Sequence, residues 1–193
     1  MRVSKAVMAE NNARIITEAA RLFRENGIDT TSVAQIMEAA GLTHGGFYRH
    51  FESKEALVSA AIHKAFKDLA QPLADNIEKL GPEAALNRFV TTYLTPSHVA
   101  KPGKGCPLAA FSAEADRKGG VQQTALQQGR ENFVALLAQG FTGTKKTQRT
   151  KARGLLALLV GSLVLARGAT SPAALKEALA AGVAGAAALA SAG

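Results

Sequence analysis

The chain has 193 residues, enough to bury a core, and 47% of them are apolar, which excludes a disordered polypeptide. Tryptophan is absent and aromatics make up 5%, so Leu, Ala, Val, Ile and a few Phe must fill the interior. The formal charge of +8 suits a polyanionic partner, but residues 1–70 carry 9 Lys and Arg against 8 Asp and Glu, whereas residues 71–193 carry 14 against 7. Polyanion binding by the N-terminal region would therefore rest on geometry, not on bulk charge.

Cys106 is the one cysteine, which rules out an internal disulfide and suits a reducing, cytoplasmic setting. No apolar run follows Arg2 and Lys5, so no secretory signal is expected. The apolar run at residues 155–166 is shorter than the roughly 20 residues a bilayer requires and reads as a buried helix, with no membrane partner expected.

Ala and Leu recur at helical spacing and strand patterns are missing, which predicts an all-α fold of about nine helices. The first spans residues 12–26, buries Ile15, Ile16, Ala19, Leu22 and Phe23, and stops at Gly27. The second starts at Ser32, which forms a capping box with Gln35, and Gly41 ends it. A short third helix begins at Thr43 and ends near His50. The fourth begins after Ser53 and runs to about residue 70, where Pro72 breaks or kinks it. Longer helices follow near 82–94, 107–117, 121–140, 147–167 and 172–191, with one loop at 96–106.

Two short helices joined by the turn Gly41-Leu42-Thr43 form a helix-turn-helix, whose second helix would lie in the DNA major groove. Gly45 and Gly46 in that second helix each cost about 0.5–1 kcal/mol relative to Ala in a helix interior. Bare backbone is useful where a helix must press against DNA. Thr43, His44, Tyr48, Arg49 and His50 point outward with groups suited to phosphate or base edges, and Phe47 and Phe51 anchor the inner face. Ser53 and Lys54 open the next helix, whose N-terminal amides suit a phosphate.

The run from Thr31-Ser32-Val33-Ala34-Gln35 through Gly41-Leu42-Thr43-His44-Gly45-Gly46-Phe47-Tyr48-Arg49-His50-Phe51 to Ser53-Lys54-Glu55-Ala56-Leu57 resembles the DNA-binding head of the TetR family of repressors. Ala19-Ala20-Arg21-Leu22-Phe23 and Asn26-Gly27 are similar to that family's first helix. The resemblance covers residues 12–60 and implies a homodimer with a ligand-responsive C-terminal domain, hence a head at 9–69 and an effector and dimerisation region at 70–193. It implies contacts with a double-stranded DNA operator from Ser32, Thr43, Gly45, Gly46, Tyr48, Arg49, His50 and Lys54. His44 stands where many members have Lys and would face the bases, lowering the expected salt dependence.

In the second half, Pro107 favours the first position of a helix, which puts Cys106 at its N-cap. The helix dipole there, with Lys101 and Lys104 upstream, would favour a reactive thiolate. The segment also resembles a TetR subgroup with Gly-Cys at this position. Cys106 is thus either a sensor of electrophiles or oxidants, or a small buried hydrophobe. Phe89, Tyr93, Phe111, Phe133 and Leu137 either line an apolar effector pocket or form ordinary core. Ala180, Ala181, Ala184, Gly185 and Ala188 offer small surfaces for a dimer interface.

An enzyme built on His98 and Cys106 has no recognisable motif or acidic partner, and no zinc, phosphate-loop or dinucleotide signature accompanies it, so no cofactor is expected. A non-specific DNA-coating protein would need a basic head. An activator with the same head stays as open as a repressor.

Overall fold

The computed structural model describes residues 4–191, and all regular structure among them is helical. Ser4 caps α1 (Lys5–Asn26), which starts earlier than its apolar stripe suggested. Gly27, at φ 89°, ends α1 as expected. The capping box of α2 (Val33–Ala39) is formed on both sides: Ser32 Oγ accepts from Gln35 N at 3.2 Å and Gln35 Oε1 accepts from Ser32 N at 2.8 Å. Gly41, at φ 68°, turns the chain out of α2. Its N–H reaches Glu38 O at 2.9 Å, and Leu42 N–H reaches Met37 O at 2.8 Å, the paired bonds of a Schellman motif. Arg14 Nη2 donates to Ala40 O over this turn and ties it to α1.

The third element, His44–Arg49, is a 3₁₀ helix and not an α-helix. Two consecutive glycines weaken the α preference, and short segments readily adopt the tighter form. The α3 helix (Lys54–Leu80) corrects a second expectation, because it runs through Pro72 without ending. Proline in a helix interior costs about 3 kcal/mol or more, but Leu73 immediately beyond it is 1% exposed and Ile77 packs on the core. Burying that further turn offsets the lost bond. The expected boundary at residues 69–70 therefore falls inside a continuous helix.

Next come α4 (Pro82–Tyr93) and a short α5 (Pro96–Ala100), then a 3₁₀ turn at Pro102–Lys104, where a plain loop was expected. Pro96 and Pro102, each at a first helical position, start these pieces. The chain closes with α6 (Pro107–Lys118), α7 (Gly120–Ala138), α8 (Lys145–Arg167) and α9 (Pro172–Ser191).

One continuous core joins head and body. In the head, Ile15, Ala19, Phe23, Ile36, Met37, Phe47 and Leu57 are all at most 1% exposed. α3 then packs along α7, where Gly129 lets the helices close: a Cβ on Gly129 would lie 2.1 Å from the Phe66 ring. α8 packs along α9, with Gly182 against Ser162 and Gly185 against Leu158. Gly185 thus serves packing within the chain, whereas Ala180, Ala181, Ala184 and Ala188 are exposed. The alanine-rich stretch Pro172–Ala190, and not the run at 155–166, has a mean hydropathy of 1.4 and is long enough to cross a membrane by length and composition.

Candidate nucleic-acid interface

The outer face of the head is built on one buried anchor. Phe47 is 1% exposed and stacks on Phe51 at 5.8 Å, fixing the 3₁₀ helix to the core. Its neighbours in sequence consequently point away. Tyr48 is 77% exposed and rests edge-on against Phe47 at 5.2 Å. Thr43, His44, Gly45 and Arg49 are exposed, and Thr43 caps the element by position without a side-chain bond, leaving its hydroxyl free. A Cβ on Gly45 would meet no atom within 4 Å, so nothing inside the protein requires glycine there. Gly46 is half-buried over Met37. Ser32, exposed at the start of α2, lies in the same helix-turn-helix.

Two expected contact residues are placed differently. Lys54 turns inward: Nζ donates to Ile28 O at 2.7 Å and lies 5.9 Å from the centre of the Phe23 ring, fastening α3 to the loop after α1. His50 is half-buried with Nδ1 enclosed and unpartnered. The N-terminus of α3 is already served as well. Ser53 Oγ accepts from Ala56 N at 3.1 Å. Hydrogen bonds from Glu55's own backbone N–H and the Ser53 hydroxyl hold the Glu55 carboxyl below its usual range.

The head is locked to the body by groups that periodicity did not single out. Glu114 of α6 accepts from Ile28 N at 3.0 Å and Asp29 N at 2.9 Å, and Lys118 pairs with Asp29. Arg24, in the last turn of α1, is 8% exposed; it donates Nε to Ala20 O at 2.8 Å and Nη1 to Gly105 O at 3.2 Å. Burial pushes its pKa down from the ordinary arginine value. A signal for Arg24 was present, since it follows Ala20 by four residues on the buried stripe of α1. Glu114 gave none, because its partners are backbone amides 86 and 85 residues away.

Cys106 is at the N-cap of α6, as expected, but it is 0% exposed. Burial raises its pKa despite the opposing influence of Tyr93 and of the amides of Ala109 and Leu108, which favours the buried thiol of the two readings. The cation felt by the sulfur is Arg167 of α8, not Lys101 or Lys104. His98 Nε2 accepts from Cys106 N at 3.1 Å while Nδ1 bonds Tyr93 O at 2.7 Å, which assigns the proton to Nδ1. Tyr93 and His98 meet edge-to-face at 4.4 Å. Phe89 and Tyr93 line a cleft of about 460 Å³ with Leu69, Pro72, His98 and Arg88. Phe111 and Phe133, 0% and 2% exposed, lie deeper in the core to which Phe89 and Tyr93 also belong.

Residues 15–61 match the family model for bacterial regulatory proteins of the tetR family. The HTH-type transcriptional repressor DhaR of Mycobacterium sp. (strain GP1) is 28% identical over 120 residues, 62% of this chain and 60% of that protein. The HTH-type transcriptional regulator TtgR of Pseudomonas putida is 36% identical over 86 residues, 42% of this chain and 41% of that one. The matched stretches thus span about three fifths or less of these relatives' length. Whole-chain likeness appears in solved structures: reduced NemR of E. coli superposes with a TM-score of 0.73 at 22% identity, covering 90% of this chain and 95% of that one. A TetR transcriptional regulator from Chloroflexus aurantiacus gives a TM-score of 0.71 at 26% identity, covering 93% and 95%. The sequence match lies on the helix-turn-helix whose outer face is described above, and the structural likeness extends the same architecture through α9. Residues 15–61 thus carry the sequence signature of the tetR family of bacterial regulatory proteins, and the chain as a whole has the fold of TetR regulators.

Proposed function

We propose that the protein is a cytoplasmic DNA-binding transcriptional regulator, a dimeric repressor released from a near-palindromic operator by a small effector or by modification of Cys106. The observation that carries this reading is the element at residues 43–49. It combines a buried Phe47 anchor with exposed Thr43, His44, Tyr48 and Arg49, and with a glycine at 45 that the protein's own packing does not need. Phosphate contacts from Thr43 and Tyr48 would set the register, and His44 and Arg49 would read base edges. The near balance of charge in the head suits sequence-dependent binding more than general coating of DNA.

Dimerisation is supported by α8 and α9. Val164, Leu165 and Val183 are 50%, 70% and 37% exposed, beside the four exposed alanines. A second copy of the chain covering this face would place two heads about one helical turn of DNA apart, roughly 34–36 Å. The same cover accounts for the apolar length of α9 without a membrane.

Release would run through α6 and α3. α6 grips the loop after α1 through Glu114, and α3 passes from the head into the body without a break. An effector that favours a shifted α6 would alter the spacing of the heads, provided it binds that state better.

Binding selection on random duplex DNA tests the reading. A near-palindromic consensus, lost when the protein is treated with a thiol-reactive electrophile or an effector, is the expected result. No enriched sequence would refute DNA-sequence recognition. A consensus with a single half-site, together with monomers in sedimentation, would refute the dimer.

A further inference from the structure

Beyond the Tyr93 and His98 side of the 460 Å³ cleft, buried donors gather without an acceptor. Arg167 comes next in register after Leu155, Leu159 and Leu163 on the buried stripe of α8, and its Nε and Nη2 are enclosed with no hydrogen-bond partner. Those two atoms form one edge of the guanidinium, the edge that holds both oxygens of a carboxylate. Tyr93 is 3% exposed, and its Oη is likewise enclosed, facing the Cys106 thiol with no oxygen or nitrogen partner among the described residues. The amides of Leu108 and Ala109, which open the twelve-residue α6, face the same sulfur. A Cβ on Gly105 would stand 2.8 Å from Arg167 Nη2 and 3.1 Å from His98 Nε2, so these groups converge on one point.

Leaving buried donors unsatisfied is costly, more so for a charged group. The surroundings do not supply the missing anion. The thiol stays protonated because burial raises its pKa. Asp68 and Glu25 act on Arg24, which also bonds Ala20 O and Gly105 O. Among the described residues no carboxylate bonds to Arg167 Nε or Nη2.

We propose that this site takes the carboxylate of a small organic acid, gripped by Arg167 Nε and Nη2 and by Tyr93 Oη at the N-terminus of α6, with the acid's apolar body in the adjoining cleft against Leu69 and Phe89. Arg88, Lys101 and Lys104 against Asp68 make the cleft's lining net positive, which suits an anion. Arg167 is not among the residues lining the cleft, so the acid would have to reach it past the short α5, none of whose residues is buried. The consequence for regulation rests on the reading of the chain as a repressor: Arg24 of the head holds Gly105 O, next to Cys106. A bound acid would therefore bear directly on the contact between α1 and α6.

The test uses the full chain, free of DNA, in calorimetric titration with benzoate, phenylacetate and octanoate, each paired with its uncharged amide. At least one acid should bind, with its amide at least tenfold weaker. Tyr93→Phe should weaken that acid about tenfold and Arg167→Met should abolish binding. Arg167→Lys keeps the charge but not the two-atom edge, and should also fail to bind tightly. Arg167→Met should melt no lower than the wild type without ligand, because it removes an unpartnered buried cation. Binding of none of the acids, or binding unchanged in both Arg167→Met and Tyr93→Phe, would overturn the proposal. Inorganic sulfate or phosphate binding as tightly through the same residues would overturn the assignment to an organic acid. An operator consensus without acid binding would refute this site alone, whereas acid binding without any DNA consensus would refute the regulator and leave the site standing.

Discussion

Glu114 reports whether head and body are joined as described. Its two carboxylate oxygens accept from Ile28 N at 3.0 Å and Asp29 N at 2.9 Å, in a half-buried setting. Glu114→Gln keeps the length and one acceptor oxygen but turns an amide N–H₂ toward the other backbone N–H. One charge-assisted bond is lost, the second becomes an ordinary one, and the part-buried amide of Ile28 or the exposed amide of Asp29 is left facing a donor. A hydrogen bond to a charged group contributes about 1.5–3 kcal/mol. Partial solvation lowers that figure and the donor conflict raises it, so the expected loss is about 2 kcal/mol. For a chain of this size each kcal/mol moves Tm by about 2–4 °C, so the variant should melt about 4–8 °C below the wild type. Asp116→Asn, an exposed position on the same helix with the same charge change, should stay within about 0.5 kcal/mol. Thermal unfolding followed by circular dichroism gives Tm, and hydrogen exchange at the amides of Ile28 and Asp29 localises the loss. If Glu114→Gln melts with the wild type and those two amides keep their protection, α6 does not hold the head and the proposed route of release fails.

Gly45→Ala separates packing from recognition: it should leave stability unchanged or raise it by up to about 1 kcal/mol, since nothing stands within 4 Å of the new methyl, and should weaken operator binding. Equal operator affinity in a filter-binding assay would show that the bare backbone does not approach DNA. His98 carries a pKa lowered by burial, and also by Arg167, from 6.5. The folded protein holds it neutral while the unfolded chain binds its proton, so its share of stability is present above about 6.5 and is lost as pH falls toward the lowered folded value. Urea unfolding at pH 7.5 and 5.5 should show this loss in the wild type and a flatter dependence in His98→Gln; identical slopes would contradict it. Gly129→Ala forces a methyl to 2.1 Å from the Phe66 ring and should cost about 1–3 kcal/mol in urea unfolding, whereas no loss would mean that α3 and α7 separate freely.

The head was legible because each of its decisions is local. Ser32 and Gln35 are three residues apart and cap the same turn, Gly41 needs its positive φ regardless of what surrounds it, and Phe47 and Phe51 share a face. Residues that act across the chain were not legible in the same way. Lys54 reads as a free cation at a helix start until Ile28 O is seen 2.7 Å away. Pro72 reads as a helix end because the rule weighs its missing N–H and not the burial of Leu73 beyond it. The aromatic set divides for the same reason. Tyr93 stands out in sequence by a hydroxyl that needs a partner when buried, but Phe89, Phe111 and Phe133 look alike, and only the placement of α4 against α3 brings Phe89 to a cleft beside Tyr93.

Cys106 shows how magnitude reverses a correct local reading. Its N-cap position was right, and a helix terminus does favour the thiolate, by about 0.3–1 kcal/mol in ordinary settings. That is less than one pKa unit, at about 1.36 kcal/mol per unit. Complete burial acts the other way by up to about 3–5 units, and Cys106 is 0% exposed. The N-terminus of α6 is therefore a place where charge is favoured by every dipole and cation present, and withheld from the residue that occupies it. Arg167, Tyr93 Oη and the first amides of α6 keep that preference whether or not the thiol ionises. An anion arriving from outside would bring its charge already formed and meet donors already in place, so it would not need the proton loss that burial denies to Cys106. Modification of Cys106 would instead require the α5 side to open first, which makes thiol reactivity a measure of that opening and not of the thiol's own acidity.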